Sequence, residues 1–157
     1  MTTLSFNRGT SAVVPILIVE DFEPFRQYTC LKLEETPQLQ VIGEVSDGME
    51  VVRKAEELQP DLILLDIGLP TLNGLEAARR ISKLSPKSKI VFLSQESSAD
   101  IVQETLRSGA SGYVVKSRAE IELLPAVKAV LESGHFVSGG LLGDAQGATP
   151  AEVNESQ

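Results

Sequence analysis

Residues 62–74 read Leu-Ile-Leu-Leu-Asp-Ile-Gly-Leu-Pro-Thr-Leu-Asn-Gly. Four apolar, mostly branched residues in a row are typical of a strand that is buried on both faces, as in a parallel sheet. Gly68 and Pro70 end this strand, and Asn73 can cap the helical sequence that follows. Asp66 is therefore expected at the carboxyl end of a central strand, which is the edge where open α/β sheets bind ligands.

The composition limits the classes of protein that need to be considered. The chain has 157 residues, 42% of them hydrophobic, which suits one domain with a sizeable core and short tails. No apolar run approaches the roughly 20 residues of a membrane span, and the start shows no signal peptide, so we expect a soluble chain with no membrane partner. Cys30 is the only cysteine and cannot form an internal disulfide, which predicts a cytoplasmic location. The net charge of -8 disfavours direct binding of nucleic acid and favours a metal cation or a basic partner.

Apolar runs and helical segments alternate along the chain. Strands are predicted over 15–21, 39–45, 62–65, 89–93 and 112–116, and a helix follows each of them. This alternation predicts an α/β fold, a doubly wound five-stranded parallel sheet with right-handed crossovers, over residues 15–134. Residues 1–14 are expected to form a flexible arm, and residues 135–157 a flexible tail or a truncated linker.

The last helix has a candidate buried stripe. Ile121, Leu124, Val127 and Leu131 recur at helical spacing and are predicted to face the sheet. Pro125 falls inside this stripe, so we expect it to kink the helix or to delay its regular start.

Three carboxylates follow two of the predicted strands. Glu20 and Asp21 end the first strand, and Asp66 ends the third. If these strands are neighbours, the three groups converge, and they must then either take up a proton or bind a cation. Oxygen ligands without histidine or cysteine favour a hard ion, and Mg²⁺ is the natural choice. The alternative is that the acids only stabilise the amino ends of the helices that follow.

Ser94 and Lys116 end two further strands. A hydroxyl group at Ser94 could donate to an anion at Asp66, and an ammonium group at Lys116 would face the acidic cluster, although each could also be a helix cap or a surface residue. His135 lies past the last helix, so no nucleophile–base pair is evident, and no glycine-rich phosphate loop is present. An aspartate that accepts a phosphoryl group fits these residues, with Mg²⁺, Ser94 and Lys116 neutralising the oxygens.

These motifs resemble the receiver domain of two-component response regulators over about residues 16–133. Glu20 and Asp21 are similar to the acidic pair of that family, and residues 66–74 to its phosphoacceptor strand and loop. Ser94 matches the switch serine or threonine, Tyr113 the switch aromatic residue, and Lys116 the characteristic lysine.

The resemblance implies a flavodoxin-like fold with strand order 2-1-3-4-5 and a phosphorylation site at Asp66 that a sensor histidine kinase uses. It implies Mg²⁺ held by Asp21, Asp66 and the backbone carbonyl of Gly68, with Glu20 acting through water. It also implies a signalling domain that catalyses only its own phosphorylation and dephosphorylation.

The resemblance further implies a switch. Phosphorylation would draw Ser94 toward the new oxygens, and Tyr113 would turn inward into the space that Ser94 leaves. The surface formed by the fourth helix, the last strand and the last helix would then change, and it would form a homodimer or bind a partner.

Two features depart from the family pattern. Gln95 is larger than the small residue common after the switch serine, so we expect it to narrow access to the phosphoryl group. Residues 109–117 most resemble receivers that precede a LuxR-type helix-turn-helix, yet no output domain follows, and only residues 148–153 faintly resemble the start of one. A stand-alone receiver and a fragment of a longer regulator are both compatible with this pattern.

Three other functions stay open from the sequence. A pseudo-receiver would share the fold but bind partners without phosphate. A phosphatase of the haloacid dehalogenase kind would need a second aspartate where Gly68 stands. A DNA-binding regulator is an option only for a longer parent chain.

Overall fold

The computed structural model describes residues 13–139, and these form a parallel sheet between two layers of helices. The strands are β1 (Val14–Val19), β2 (Leu39–Val45), β3 (Leu62–Leu65), β4 (Lys89–Ser94), β5 (Gly112–Val115) and β6 (Phe136–Val137). The helices are α1 (Glu23–Leu33), α2 (Gly48–Leu58), α3 (Gly74–Leu84), α4 (Ala99–Arg107) and α5 (Ala119–Leu131), and a 3-10 turn over Lys116–Arg118 precedes α5. None of the helices within this range is long and apolar enough to cross a membrane.

The strand order is β2-β1-β3-β4-β5-β6, which confirms the predicted order of the first five strands. β3 pairs with β1 on one side and with β4 on the other, and all four of its residues are buried, as its apolar sequence predicts. The chain moves from β1 outward to β2 and then crosses to β3 on the opposite side of β1. This reversal places the carboxyl ends of β1 and β3 side by side at the position where open sheets bind ligands.

Both faces of the sheet are covered, which explains why the central strands lack an apolar–polar alternation. Along β1, Ile16 and Ile18 belong to the core under α1 and α5. Leu17 and Val19 point the other way, into the core under α2, α3 and α4. Because each central strand contributes to two cores, nearly every one of its positions must be apolar.

The predicted buried stripe of the last helix was wrong at Ile121, whose side chain is 71% exposed. The buried residues of α5 instead form a broader face: Ala119, Glu122, Leu123, Leu124, Ala126, Val127 and Val130. α5 is so rich in apolar residues that several stripes fit its sequence equally well, and packing against the sheet selects among them. The helix runs from Ala119 to Leu131 through Pro125.

A sixth strand was not predicted. Phe136 and Val137 pair in parallel with Gly112 and Tyr113, at the edge of the sheet beside β5. The Ser138 amide extends this contact by donating to the Tyr113 carbonyl oxygen at 2.9 Å. Two residues are too few to show a strand pattern, so the sequence predicts a domain that ends at residue 134. Most of the predicted arm and tail, and the segment 148–153, lie outside the described residues.

Candidate functional site

The three predicted acidic residues converge at the carboxyl edge of the sheet. Val19 of β1 pairs with Leu65 of β3, so the next residues, Glu20 and Asp66, leave two neighbouring strands at the same level. One carboxylate oxygen from each of Glu20, Asp21 and Asp66 lies within 4.8 Å of the other two. Glu20 and Asp66 are buried, whereas Asp21 is exposed. The site therefore has a buried base and one side open to solvent.

Lys116, in the turn after β5, supplies a positive charge to this acidic cluster. Its Nζ atom lies 2.8 Å from Oε1 of Glu20 and 3.5 Å from Oδ2 of Asp66. The same ammonium group lies 4.9 Å from the ring centroid of Phe25 in α1, a cation–π contact that the sequence analysis missed. The lysine thus reaches the predicted cluster, but its shortest contact is with Glu20 rather than Asp66.

The electrostatic balance of the site is unfavourable for three ionised carboxylates. Burial raises the pKa of the Glu20 carboxyl group above its ordinary value, the hydrogen bond from Lys116 lowers this pKa, and the neighbouring charge of Asp66 raises it again. The Phe22 backbone amide also donates to Glu20 Oε2, at 3.1 Å. One ammonium group faces three carboxyl groups, so a second positive charge would relieve their repulsion.

The donor set fits Mg²⁺. All three side chains offer oxygen atoms, which is the ligand type that this ion prefers. One oxygen atom from each carboxylate lies within 4.8 Å of the other two, so a single ion could be held between them. The excess of negative charge and the exposed position of Asp21 also suit an ion that keeps some of its water.

The loop after β3 is held close to Asp66. The Gly68 amide donates to Oδ1 of Asp66 at 3.3 Å. Gly74 packs so closely on this loop that a Cβ atom there would collide with the Asp66 carbonyl oxygen. Asn73 caps α3 as predicted, because its side chain accepts from the Glu76 amide at 3.0 Å. The metal-binding role of the Gly68 carbonyl stays a prediction, since the contact found here is made by its amide.

Ser94 and Tyr113 are joined through the backbone of Glu96. The buried Ser94 hydroxyl accepts from the Glu96 amide at 3.0 Å, and the Tyr113 hydroxyl donates to the Glu96 carbonyl oxygen at 2.8 Å. Tyr113 is fully buried, and its predicted inward turn after phosphorylation stays a prediction. Burial raises the pKa of its phenol, a hydrogen bond with Ser94 lowers it, and the charges of Glu96 and Asp66 raise it. Gln95, directly after Ser94, is exposed, and its predicted effect on access to the phosphoryl group stays a prediction.

The chain is similar to known receiver domains. The family model of the response regulator receiver domain matches residues 16–128. The transcriptional regulatory protein DegU of Brevibacillus brevis is 34% identical over 124 residues, which are 79% of this chain and 52% of that protein. LiaR of Bacillus subtilis, also a transcriptional regulatory protein, is 35% identical over 117 residues, 74% of this chain and 56% of its own. The chain spans about half the length of these curated relatives.

A solved structure shows the same architecture. The crystal structure of a LuxR-family two-component response regulator from Aurantimonas superposes with a TM-score of 0.79 and 28% sequence identity. The match covers 83% of this chain and 93% of that one. The family model covers most of the chain, and the fold and the acids at the strand ends agree with it. The chain therefore belongs to the response regulator receiver domain family.

Proposed function

We propose that this receiver domain accepts a phosphoryl group on Asp66 from a sensor histidine kinase of a two-component system. The observation that carries the proposal is the convergence on Asp66 of two carboxylates within 4.8 Å and of the Lys116 ammonium group at 3.5 Å. Such a site concentrates positive charge beside a carboxylate nucleophile once a cation is bound, which is what phosphoryl transfer requires.

The Asp66 carboxylate is the nucleophile of the proposed transfer step. One carboxylate oxygen attacks the phosphorus atom of a phosphohistidine, the new P–O bond forms, and the P–N bond breaks with its electron pair returning to the imidazole nitrogen. The Gly68 amide on Oδ1 and Lys116 near Oδ2 orient the carboxylate for this attack. Bound Mg²⁺, held by Asp21, Asp66 and the Gly68 carbonyl with Glu20 reaching it through water, would supply further positive charge for the phosphoryl oxygens.

The signal would leave the site through Ser94 and Tyr113. A phosphoryl group on Asp66 adds about −1.5 to −2 charges and new acceptor oxygens. The Ser94 hydroxyl would then donate to a phosphoryl oxygen, which changes its contact with the Glu96 amide and, through the Glu96 carbonyl oxygen, the contact of Tyr113. We expect the surface of α4, β5 and α5 to change as a result, and this surface would form a homodimer or bind a downstream partner.

A second candidate is that the chain is the receiver part of a DNA-binding transcriptional regulator. DegU and LiaR are named as transcriptional regulatory proteins, and the matched region covers only 52% and 56% of them. In that case the same phosphorylation would control an output domain in a longer chain. A pseudo-receiver that works without phosphate is the remaining alternative. The complete set of Asp66, Asp21 and Lys116 weighs against it. Catalysis limited to its own phosphorylation and dephosphorylation, and a location in the cytoplasm, also remain part of this proposal.

The experiment is intact mass measurement after incubation with acetyl phosphate or a phosphorylated kinase, with Mg²⁺ or with chelator. We expect one phosphoryl adduct on the wild type that requires Mg²⁺ and is lost in Asp66→Asn. Asp100→Asn, an exposed aspartate in the first turn of α4, is the matched control and should behave as wild type. An equal adduct on Asp66→Asn would refute the assignment. No adduct with either donor would favour the pseudo-receiver.

A further inference from the structure

The loop between β3 and α3 is tied to the start of α2 by contacts that the proposed function does not use. The Thr71 hydroxyl donates to Oδ1 of Asp47 at 2.8 Å, across 24 positions of sequence. The Gly48 amide donates to the Pro70 carbonyl oxygen at 3.2 Å. The two segments approach so closely that a Cβ atom at Gly48 would collide with the Leu72 carbonyl oxygen. The phosphoacceptor loop is thus braced from outside its own sequence.

Thr71 adopts a backbone conformation that a threonine rarely takes. Its φ is +63°, in the left-handed region, where a β-branched side chain is strained. Such residues persist only when the surrounding structure compensates for them, and they are common at functional sites. The hydrogen bond to Asp47 is a compensating contact, and it is also the main cause that lowers the pKa of the Asp47 carboxyl group.

The chain reversal at Thr71 controls the part of the loop that faces the site. The Leu72 amide donates to the Pro70 carbonyl oxygen at 2.7 Å, and the Gly74 amide donates to the Ile67 carbonyl oxygen, also at 2.7 Å. Gly68 lies between Ile67 and this reversal, and it has no neighbour within 4 Å of a Cβ position that could fix it by packing. Apart from its amide hydrogen bond to Asp66, the orientation of Gly68 therefore depends on how the loop is closed.

We propose that Asp47 and Thr71 are positioning residues for the phosphoacceptor site: their contact holds the β3–α3 loop so that Gly68 keeps the orientation that Mg²⁺ binding and phosphoryl transfer need. This inference rests on the proposed function and deepens it. Neither residue touches the acidic cluster in the contacts described, so the role is exerted through the loop. Asp47 also has a second role, because its Oδ1 atom caps α2 by accepting from the Met49 and Glu50 amides. A test must therefore distinguish the positioning role from the capping role.

Variants at the two positions distinguish positioning from capping. Thr71→Val removes the hydroxyl, which donates to Asp47 and also accepts from the Met49 amide at 3.4 Å, and it keeps the branched shape. The cap that Asp47 itself provides for α2 stays in place. Thr71→Ser restores the donor, and Asp47→Asn keeps an acceptor for both Thr71 and the helix amides. Thr71→Gly removes the hydroxyl and the strain together, and so tests the same contact in a variant that folds without difficulty.

Ser98→Ala is the control for a general loss of stability. Its hydroxyl caps α4 by accepting from the Ile101 amide at 3.2 Å, and among residues 13–139 it makes no hydrogen bond to the β3–α3 loop. Mg²⁺ affinity is measured by calorimetry on the unphosphorylated proteins, together with thermal unfolding in chelator. Initial rates of adduct formation are then measured at limiting and at saturating Mg²⁺.

We expect Thr71→Val and Thr71→Gly to weaken Mg²⁺ binding about tenfold, a size that is typical when the support of a metal ligand is lost. Adduct formation should slow by a similar factor at limiting Mg²⁺ and recover at saturating Mg²⁺. Thr71→Ser, Asp47→Asn and Ser98→Ala should stay within about twofold of the wild-type affinity.

Wild-type affinity in both Thr71→Val and Thr71→Gly would overturn the inference, and so would an equal loss of affinity in Ser98→Ala. In either case the wild type still binds Mg²⁺ and forms an adduct, so the proposed function stands. A wild type that does neither would overturn the proposed function and this inference with it.

Discussion

Replacing Lys116 with methionine should destabilise the protein in a strongly pH-dependent way. In chelator, Lys116 is the cation within 3.5 Å of both Glu20 and Asp66. Methionine keeps much of the side-chain volume and its contact with Phe25, but it leaves two buried carboxylates without a positively charged partner. Removing one partner of a buried ion pair costs about 3–5 kcal/mol when the remaining charge cannot be neutralised.

Protonation of Glu20 limits this cost. An ordinary glutamic acid has a pKa of 4.5, so forcing the neutral form costs about 3.4 kcal/mol at pH 7 and about 1.4 kcal/mol at pH 5.5, from about 1.36 kcal/mol per pH unit. In the variant, the pKa of Glu20 in the folded state rises further above its unfolded value. The folded state then binds the Glu20 proton more tightly than the unfolded state does. The contribution of this proton to the free energy of unfolding is lost as the pH rises from the unfolded pKa of Glu20 through its folded pKa. Because the pKa of Glu20 is already raised in the wild type, the penalty should be smaller at pH 5.5 than at pH 7 by at most about 2 kcal/mol.

The assay is urea denaturation of wild type and Lys116→Met at both pH values in chelator. Lys128→Met is the matched control, because Lys128 makes a 2.8 Å ion pair with Glu132 on the surface of α5. Its loss should cost less than about 1 kcal/mol at either pH. Adding Glu20→Gln to Lys116→Met should restore most of the lost stability. A penalty for Lys116→Met that is the same at both pH values, or no larger than that of Lys128→Met, would refute the reasoning.

Three further predictions follow from buried or access-controlling groups. Ser138 bridges the Val115 amide and the buried Glu122 carboxylate, so Ser138→Ala should lower the free energy of unfolding by about 1–3 kcal/mol in urea; unchanged stability would contradict the bridge. Burial raises the pKa of Cys30 to about 11. A smaller fraction of Cys30 is then thiolate at pH 8, although each thiolate is more nucleophilic, so alkylation by iodoacetamide should be roughly tenfold slower than that of a free thiol. An alkylation rate equal to that of the glutathione thiol would contradict the raised pKa of Cys30. Gln95→Ala should raise the rates of both phosphorylation and dephosphorylation, measured by adduct mass over time. If both rates are unchanged, Gln95 does not limit access to the phosphoryl group.

The sequence predicts the centre of the fold well because burial on both faces constrains every residue of a central strand. The four apolar residues of β3 and the carboxylate that follows it leave few other arrangements. The edges are less constrained. β6 is two residues long, and α5 has buried residues on so broad a face that the position of Ile121 could not be decided from spacing alone.

The functional site shows the same contrast. Its acids and its lysine could be predicted, because the ends of parallel strands meet at one edge whatever the side chains do. The choice of Glu20 as the closest partner of Lys116 depends on side-chain placement in the folded protein. The contacts of Phe25 with Lys116 and of Thr71 with Asp47 join different elements, so no local pattern in the sequence indicates them.

The most direct test of the central claim is to locate the phosphoryl group. Borohydride reduces an aspartyl phosphate to homoserine, and peptide mass spectrometry then identifies the position that was modified. After incubation with acetyl phosphate and Mg²⁺, we expect homoserine at position 66, and chelator should abolish it. Homoserine at another aspartate, with Asp66 unmodified, would contradict the account.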